Sequence, residues 1–205
     1  MHRAIFLDRD GVINEKAPEG EYITSWEAFS FLPGVVEAIA AIHQAGFLAV
    51  VVTNQRCVAK RLMTIAELES MHERMSSFLA ARGAGIDAVY YCPHELQSAC
   101  RCRKPAIGMF LDAARDRAVD LDASWMIGDS EFDMEAGRNA GCKTALVAAA
   151  PMRTATLERQ PKCAVNVVAD SLLDAVRQIL DHEKQSLGPE NVPLGDSTDA
   201  AGASR

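Results

Sequence analysis

Short apolar runs alternate along this chain with longer stretches whose apolar positions recur every three or four residues. The runs are Ala4–Leu7, Phe47–Val52, Ile86–Tyr91, Trp125–Ile127, Cys142–Val147 and Ala164–Val168, each suited to a strand buried on both faces. Between them, Pro33 and Gly34 open a helical pattern in which Val35, Val36, Ala38, Ile39 and Ile42 share a face until Gly46. Thr64 predicts an N-cap with Glu67 as its capping-box partner, for a helix running to about Arg82 and ending at Gly83. Ile107–Val119, Phe132–Asn139 and Leu172–Leu180 are further helices. Strands alternating with helices predict an α/β fold, a mostly parallel sheet covered on both faces. Residues 1–182 read as one domain. From Glu183 to Arg205 the chain is polar and aperiodic, which predicts a disordered tail.

The polar residues that interrupt this pattern converge. Asp8, Thr53, the Cys92–Lys104 loop and Asp129 each follow the C-terminal end of an expected strand, the edge at which open α/β sheets bind ligands. Asp8 and Asp10 stand two residues apart, and Asp129 and Asp133 follow Gly128. Acids gathered in one crevice repel one another unless a cation sits among them. Mg²⁺ fits, because it takes hard oxygen ligands and neutralises a phosphate dianion that an aspartate must approach. One carboxylate can then attack phosphorus to form an aspartyl-phosphate. A second can protonate the leaving oxygen and later deprotonate the attacking water.

A second cluster is built on sulfur. Cys92, His94, Cys100 and Cys102 form a C-x-H…C-x-C array. Three thiolates and an imidazole suit tetrahedral Zn²⁺ with no open position, a structural rather than a catalytic site. Such an ion would fix a loop with little apolar content and orient the two cations that follow it. Lys104 offers a point charge to a phosphoryl group, and Arg103 a forked contact to another part of the substrate. Cys57, Cys142 and Cys163 are scattered and read as small buried residues.

Charge narrows the partners. The 205 residues carry a net charge of −7 with no long basic run, which argues against a nucleic-acid partner. No run approaches the roughly 18–20 apolar residues that cross a bilayer, and the apolar stretch after Met1 is too short for a signal peptide. A cytoplasmic monomer acting on a small phosphorylated molecule is expected.

Phe6–Asn14 (FLDRDGVIN) resembles the first signature of the haloacid dehalogenase (HAD) superfamily. Val51–Gln55 (VVTNQ) resembles the second, Lys104 the third and Ile127–Asp133 (IGDSEFD) the fourth, in the family's order. The resemblance implies a three-layer, Rossmann-like HAD fold without a large cap domain. It implies Asp8 as nucleophile and Mg²⁺ ligand, and Asp10 as general acid/base and a ligand through its carbonyl. Asp129 becomes the third ligand and Asp133 its support, with Thr53 and Lys104 on the phosphoryl group and Asn54 positioning the substrate. The C-x-H…C-x-C-R-K-P loop, with Asp87–His94 and Phe31–Gly34, is similar to that of the D-glycero-D-manno-heptose 1,7-bisphosphate 7-phosphatases. Histidinol-phosphate phosphatases share the loop. The family implies a Mg²⁺-dependent phosphomonoester hydrolase of carbohydrate metabolism. Histidinol phosphate or another small metabolite is the alternative substrate. A silent phosphosugar-binding module is the alternative of another class, and the presence of Asp8 and Asp10 argues against it.

The chain also departs from the family. Arg56 and Cys57 replace the usual small residue and glycine after Gln55, so Arg56 can bind a second phosphate, block a substrate or sit at the surface. Only five residues separate His94 from Cys100, and Ser130 follows Asp129 where a lysine is sometimes found. Glu15–Ser25 is expected to face the substrate, His43 and His72 to be solvated, and Trp26 and Trp125 to pack.

Overall fold

Every side chain from Ala4 to Leu7 is fully buried, because the strand they form, β1 (Arg3–Leu7), lies inside a sheet with helices over both faces. The computed structural model describes residues 1–148 and 165–186. Its other strands are β2 (Phe47–Asn54), β3 (Ala88–Cys92), β4 (Trp125–Gly128), β5 (Lys143–Val147) and β6 (Val167–Ala169). The helices are α1 (Val35–Gln44), α2 (Arg56–Ala59), α3 (Ile65–Ala80), α4 (Gly108–Arg117), α5 (Glu131–Asn139) and α6 (Leu172–Ser186). Among the described residues all strand pairs are parallel, in the order β3-β2-β1-β4-β5-β6.

The pleat sorts the core into two layers. Ile5, Leu7, Val51, Trp125 and Ile127 face one way, against Ile39 and Ile42 of α1, Leu68 and Met75 of α3, and Val176 and Ile179 of α6. Ala4, Phe6, Val50, Val52 and Met126 face the other way, against Met109 and Phe110 of α4 and Ala136 of α5. The rings of Phe6 and Phe110 meet at 4.7 Å. The strand order reverses at β1, since the chain winds outward to β2 and β3 and then adds β4, β5 and β6 on the other side. The C-terminal ends of β1 and β4 therefore flank a switch point, the usual ligand crevice of such sheets.

Several boundaries move from their expected places. The Thr64–Glu67 capping box forms as read. β3 starts at Ala88, two residues late, because the Asp87 carboxylate turns inward to accept from Ala49 N at 2.7 Å and to meet His43 Nε2 at 3.0 Å. The single-turn α2 was not expected, being shorter than any readable periodicity. Trp125 is buried and Trp26 stacks on Phe29, as anticipated. Cys57 and Cys142 are buried, whereas Cys163, Ala164 and residues 187–205 lie outside the described residues. His72 corrects the expectation of a solvated side chain. It is 5 % exposed, because Leu68, His72, Met75 and Leu79 fall on one stripe of α3.

The largest shift is at α6, which continues to Ser186 instead of giving way to a tail at Glu183. Glu183 is held by tertiary partners: it accepts from Trp125 Nε1 at 3.0 Å, Lys143 Nζ at 2.7 Å and Arg3 Nη1 at 3.2 Å. These bonds tie α6 to the beginnings of β1, β4 and β5, at the sheet edge opposite Asp8. Glu183→Gln is expected to lower the unfolding free energy by about 1–2 kcal/mol in urea denaturation, with kcat/KM unchanged.

Candidate active site

The backbone carries Asp8 one residue beyond β1, where its N–H donates to Ile127 O at 2.9 Å. The turn that follows has no room for a side chain at Gly11. Its φ is +91°, and a Cβ there would lie 2.3 Å from Asp129 Oδ2. The ends of β1 and β4 are thereby brought together, and Asp8, Asp129 and Asp133 each place a carboxylate oxygen within 4.8 Å of the others.

Lys104 joins these acids from the far side. Its side chain is almost wholly buried, with Nζ 2.9 Å from Asp8 Oδ1, 2.5 Å from Asp133 Oδ1 and 2.7 Å from Val52 O. Burial opposes the charge, but Asp133 and Asp8 outweigh it and hold the ammonium above its ordinary pKa. Asn54 clamps the backbone of Lys104, accepting from its N–H at 3.0 Å and donating to its carbonyl at 3.2 Å. The Asn54 side chain thus serves the lysine directly.

The acids differ in their freedom. Asp133 is fully engaged, because its Oδ2 also accepts from Ser130 N at 3.1 Å and Ser130 Oγ at 2.5 Å. Asp129 Oδ2 pairs with Lys16 Nζ at 2.7 Å, while its Oδ1 is buried without a hydrogen-bond partner. Burial pushes the Asp8 carboxyl up to about 7, opposed by Lys104 and reinforced by Asp133 and Asp129. Burial raises Asp129 as well, against the pull of Lys16. A divalent cation would relieve both acids, and the unpartnered Asp129 oxygen is free to serve as a ligand to it.

Asp10 turns elsewhere. Its carboxylate accepts from Arg9 Nη2 at 2.9 and 3.0 Å, from Asn14 Nδ2 at 2.9 Å and from Gln55 Nε2 at 2.9 Å. Burial works to raise its pKa, but the Arg9 cation and the two amides hold it below the usual carboxylate range. Gln55 also donates to the buried Thr53 Oγ1 at 2.9 Å, linking Thr53 to Asp10.

A cavity of about 400 Å³ opens over this centre. Thr53, Arg103 and Lys104 wall one side, and Lys16 to Ile23 wall the other, so the loop expected to face a substrate does line the cavity. Lys16, Gln55 and Arg9 were not singled out from sequence. Lys16 is the one cation in the Glu15–Ser25 loop, a signal that could have marked it.

The sulfur cluster closes beside this cavity. Cys92 Sγ lies 3.7 Å from Cys100 Sγ and 3.5 Å from His94 Nδ1, which is 3.2 Å from Cys102 Sγ. All four ligand atoms fall within 4.8 Å of one another and can hold a metal ion. Arg103 Nη1 donates back to His94 O at 3.3 Å. Arg56, the first residue of α2, pairs with Glu95 of the Cys92–Lys104 loop and is not among the residues lining the cavity, a part-exposed ion pair that none of its three open readings named.

Known proteins are similar to this chain in sequence and in fold. The HAD-hydrolase-like family model matches residues 101–175. The D-glycero-beta-D-manno-heptose-1,7-bisphosphate 7-phosphatase of Escherichia coli O6:H1 is 39% identical over 88% of this chain and 96% of its own. That of Photorhabdus laumondii is 36% identical over 86% of this chain and 94% of its own. The crystal structure of D,D-heptose 1,7-bisphosphate phosphatase from B. bronchiseptica, complexed with magnesium and phosphate, superposes with a TM-score of 0.78. It is 36% identical, covering 88% of this chain and 99% of that one. With identity of this order sustained across nearly the whole length of its relatives, the chain belongs to the D-glycero-beta-D-manno-heptose-1,7-bisphosphate 7-phosphatase family of HAD phosphatases and is a phosphomonoester hydrolase.

Proposed function

We propose that this chain removes the 7-phosphate of D-glycero-beta-D-manno-heptose 1,7-bisphosphate through a phosphoryl-enzyme at Asp8. The observation that supports this best is the Lys104 ammonium 2.9 Å from Asp8 Oδ1, under a cavity wide enough for a sugar phosphate. Lys104 and Thr53 hold the phosphoryl oxygens while an Asp8 oxygen attacks phosphorus and the ester bond to the sugar breaks. Asp10 must first take up a proton, against the contacts of Arg9, Asn14 and Gln55 that favour its ionised form, and then delivers it to the departing sugar oxygen. It then takes one from the water that attacks the phosphoryl-aspartate, releasing inorganic phosphate and regenerating the carboxylate. Arg103 offers its fork to the rest of the substrate.

Asp8 and Asp129, with the Asp10 carbonyl, would hold Mg²⁺, which supplies positive charge to the phosphate and to the crowded acids. Asp133 keeps Lys104 in place. Cys92, His94, Cys100 and Cys102 would hold Zn²⁺. Their separations of 3.2–3.7 Å approach the edge of a tetrahedron with Zn–S bonds of ~2.3 Å, which is about 3.8 Å. We place the reaction in the cytoplasm, where such thiols stay reduced, and assign it to the monomer.

Asp8→Asn is expected to abolish phosphate release from the bisphosphate with saturating Mg²⁺. The same variant, without metal, should melt no lower than the parent above pH 7, because an ionised Asp8 opposes folding there. Metal analysis of the purified protein should find about one Zn per chain. Cys102→Ser should lose that ion and raise KM for the bisphosphate severalfold, because the loop carrying Arg103 loosens. Retention of full zinc and unchanged kinetics in this variant would contradict the assignment.

A further inference from the structure

Arg9 is a buried cation, 1 % exposed, sitting between the two catalytic-loop acids in sequence but facing the interior. Among the described residues its ion-pair partner is Asp10. On the other side of the guanidinium, Nη1 lies 3.2 Å from His72 Nε2 and 3.7 Å from Met71 Sδ, both on α3, and the Phe29 ring lies 5.8 Å from Cζ. Arginine has donors only and stays charged, so the His72 Nε2 must be the acceptor and the ring proton must sit on Nδ1. The ring in turn rests against Tyr91, with centroids 5.6 Å apart. Tyr91 belongs to β3, and its hydroxyl donates to Glu69 of α3 at 2.6 Å.

We infer that His72 is a positioning residue for Asp10: it fixes the Arg9 guanidinium, which in turn fixes the Asp10 carboxylate. The assignment rests on Asp10 being the general acid/base. Its physical basis is the cost of leaving a buried donor unpaired. An Arg9 whose Nη1 kept only the weak thioether acceptor of Met71 would turn to find a better one and carry the carboxylate with it. A general acid works only within hydrogen-bond reach of the atom it protonates, so a small rotation of Asp10 slows the chemistry. Burial and the Arg9 cation drive the His72 pKa down to about 3, in keeping with a neutral acceptor.

The test compares His72→Phe, which keeps a ring but removes the acceptor, with His72→Gln, which restores an acceptor oxygen. Both are assayed as folded, Mg²⁺-loaded enzyme, on the heptose bisphosphate and on p-nitrophenyl phosphate. The second substrate's leaving group departs without a proton. His72→Phe should lower kcat/KM for the sugar phosphate about tenfold, with little change in KM. It should lower kcat/KM for the aryl ester far less, and His72→Gln should recover most of the loss. Equal loss on both substrates, or a His72→Gln variant no better than His72→Phe on the sugar phosphate, would overturn the inference. Asp10→Asn serves as the control. If it too fails to distinguish the substrates, the role of Asp10 is at fault; if it does distinguish them while His72→Phe does not, His72 is at fault.

Discussion

An ammonium ion enclosed by protein, with two carboxylates and a carbonyl as its nearest neighbours, is the constraint around which this molecule is arranged. Lys104 reaches Asp8 after β1, Asp133 in the first turn of α5 and the Val52 carbonyl in β2. Three segments far apart in the chain thus share one positive charge. Removing the lysine from such a buried arrangement typically costs about 3–5 kcal/mol, because the carboxylates around it are left unpaired. The lysine is therefore a structural pin for the switch point. Glycine at position 11 follows from the same crowding, since the Asp129 carboxylate occupies the space a side chain would need.

The acids fall into two electrostatic groups with different histories of compensation. Asp8 and Asp129 are under-compensated, raised by burial and left wanting positive charge. Asp10 is over-supplied, with Arg9, Asn14 and Gln55 all donating to it. Taken without a cation, these environments favour a protonated Asp8 and an ionised Asp10, the reverse of what a nucleophile and a general acid need, so the site calls for positive charge beside Asp8. Gln55 links Asp10 to Thr53, since its one amide nitrogen serves both. The family relationship and the crowding of acids therefore point to the same chemistry by independent routes.

Much of this was legible in the sequence because the relevant signals are local. Apolar runs marked the strands, and the polar residues just beyond them marked the sheet edge that became the site. The Cys92–Cys102 array showed itself through spacing alone. What sequence could not show was partnership across distance. Glu183 looks like the start of a polar tail until Arg3, Trp125 and Lys143 are seen to converge on it. His72 is a polar residue on an apolar stripe, and its burial makes sense only once Arg9 supplies a donor. The one-turn α2 is too short to leave a periodic trace, and the Arg56–Glu95 pair depends on that turn meeting the loop after β3.

The clamp of Asn54 on both backbone polar groups of Lys104 separates two things that the loop after β3 has to do. The lysine's position is set downstream, against β2, and does not depend on how the chain travels from His94 to Cys100. The residues between His94 and Cys100 can therefore vary in number while the Lys104 charge stays where it is. That stretch carries Glu95, the partner of Arg56, so its length is a variable that evolution, or an engineer, can use to move this ion pair and α2 while the lysine stays fixed.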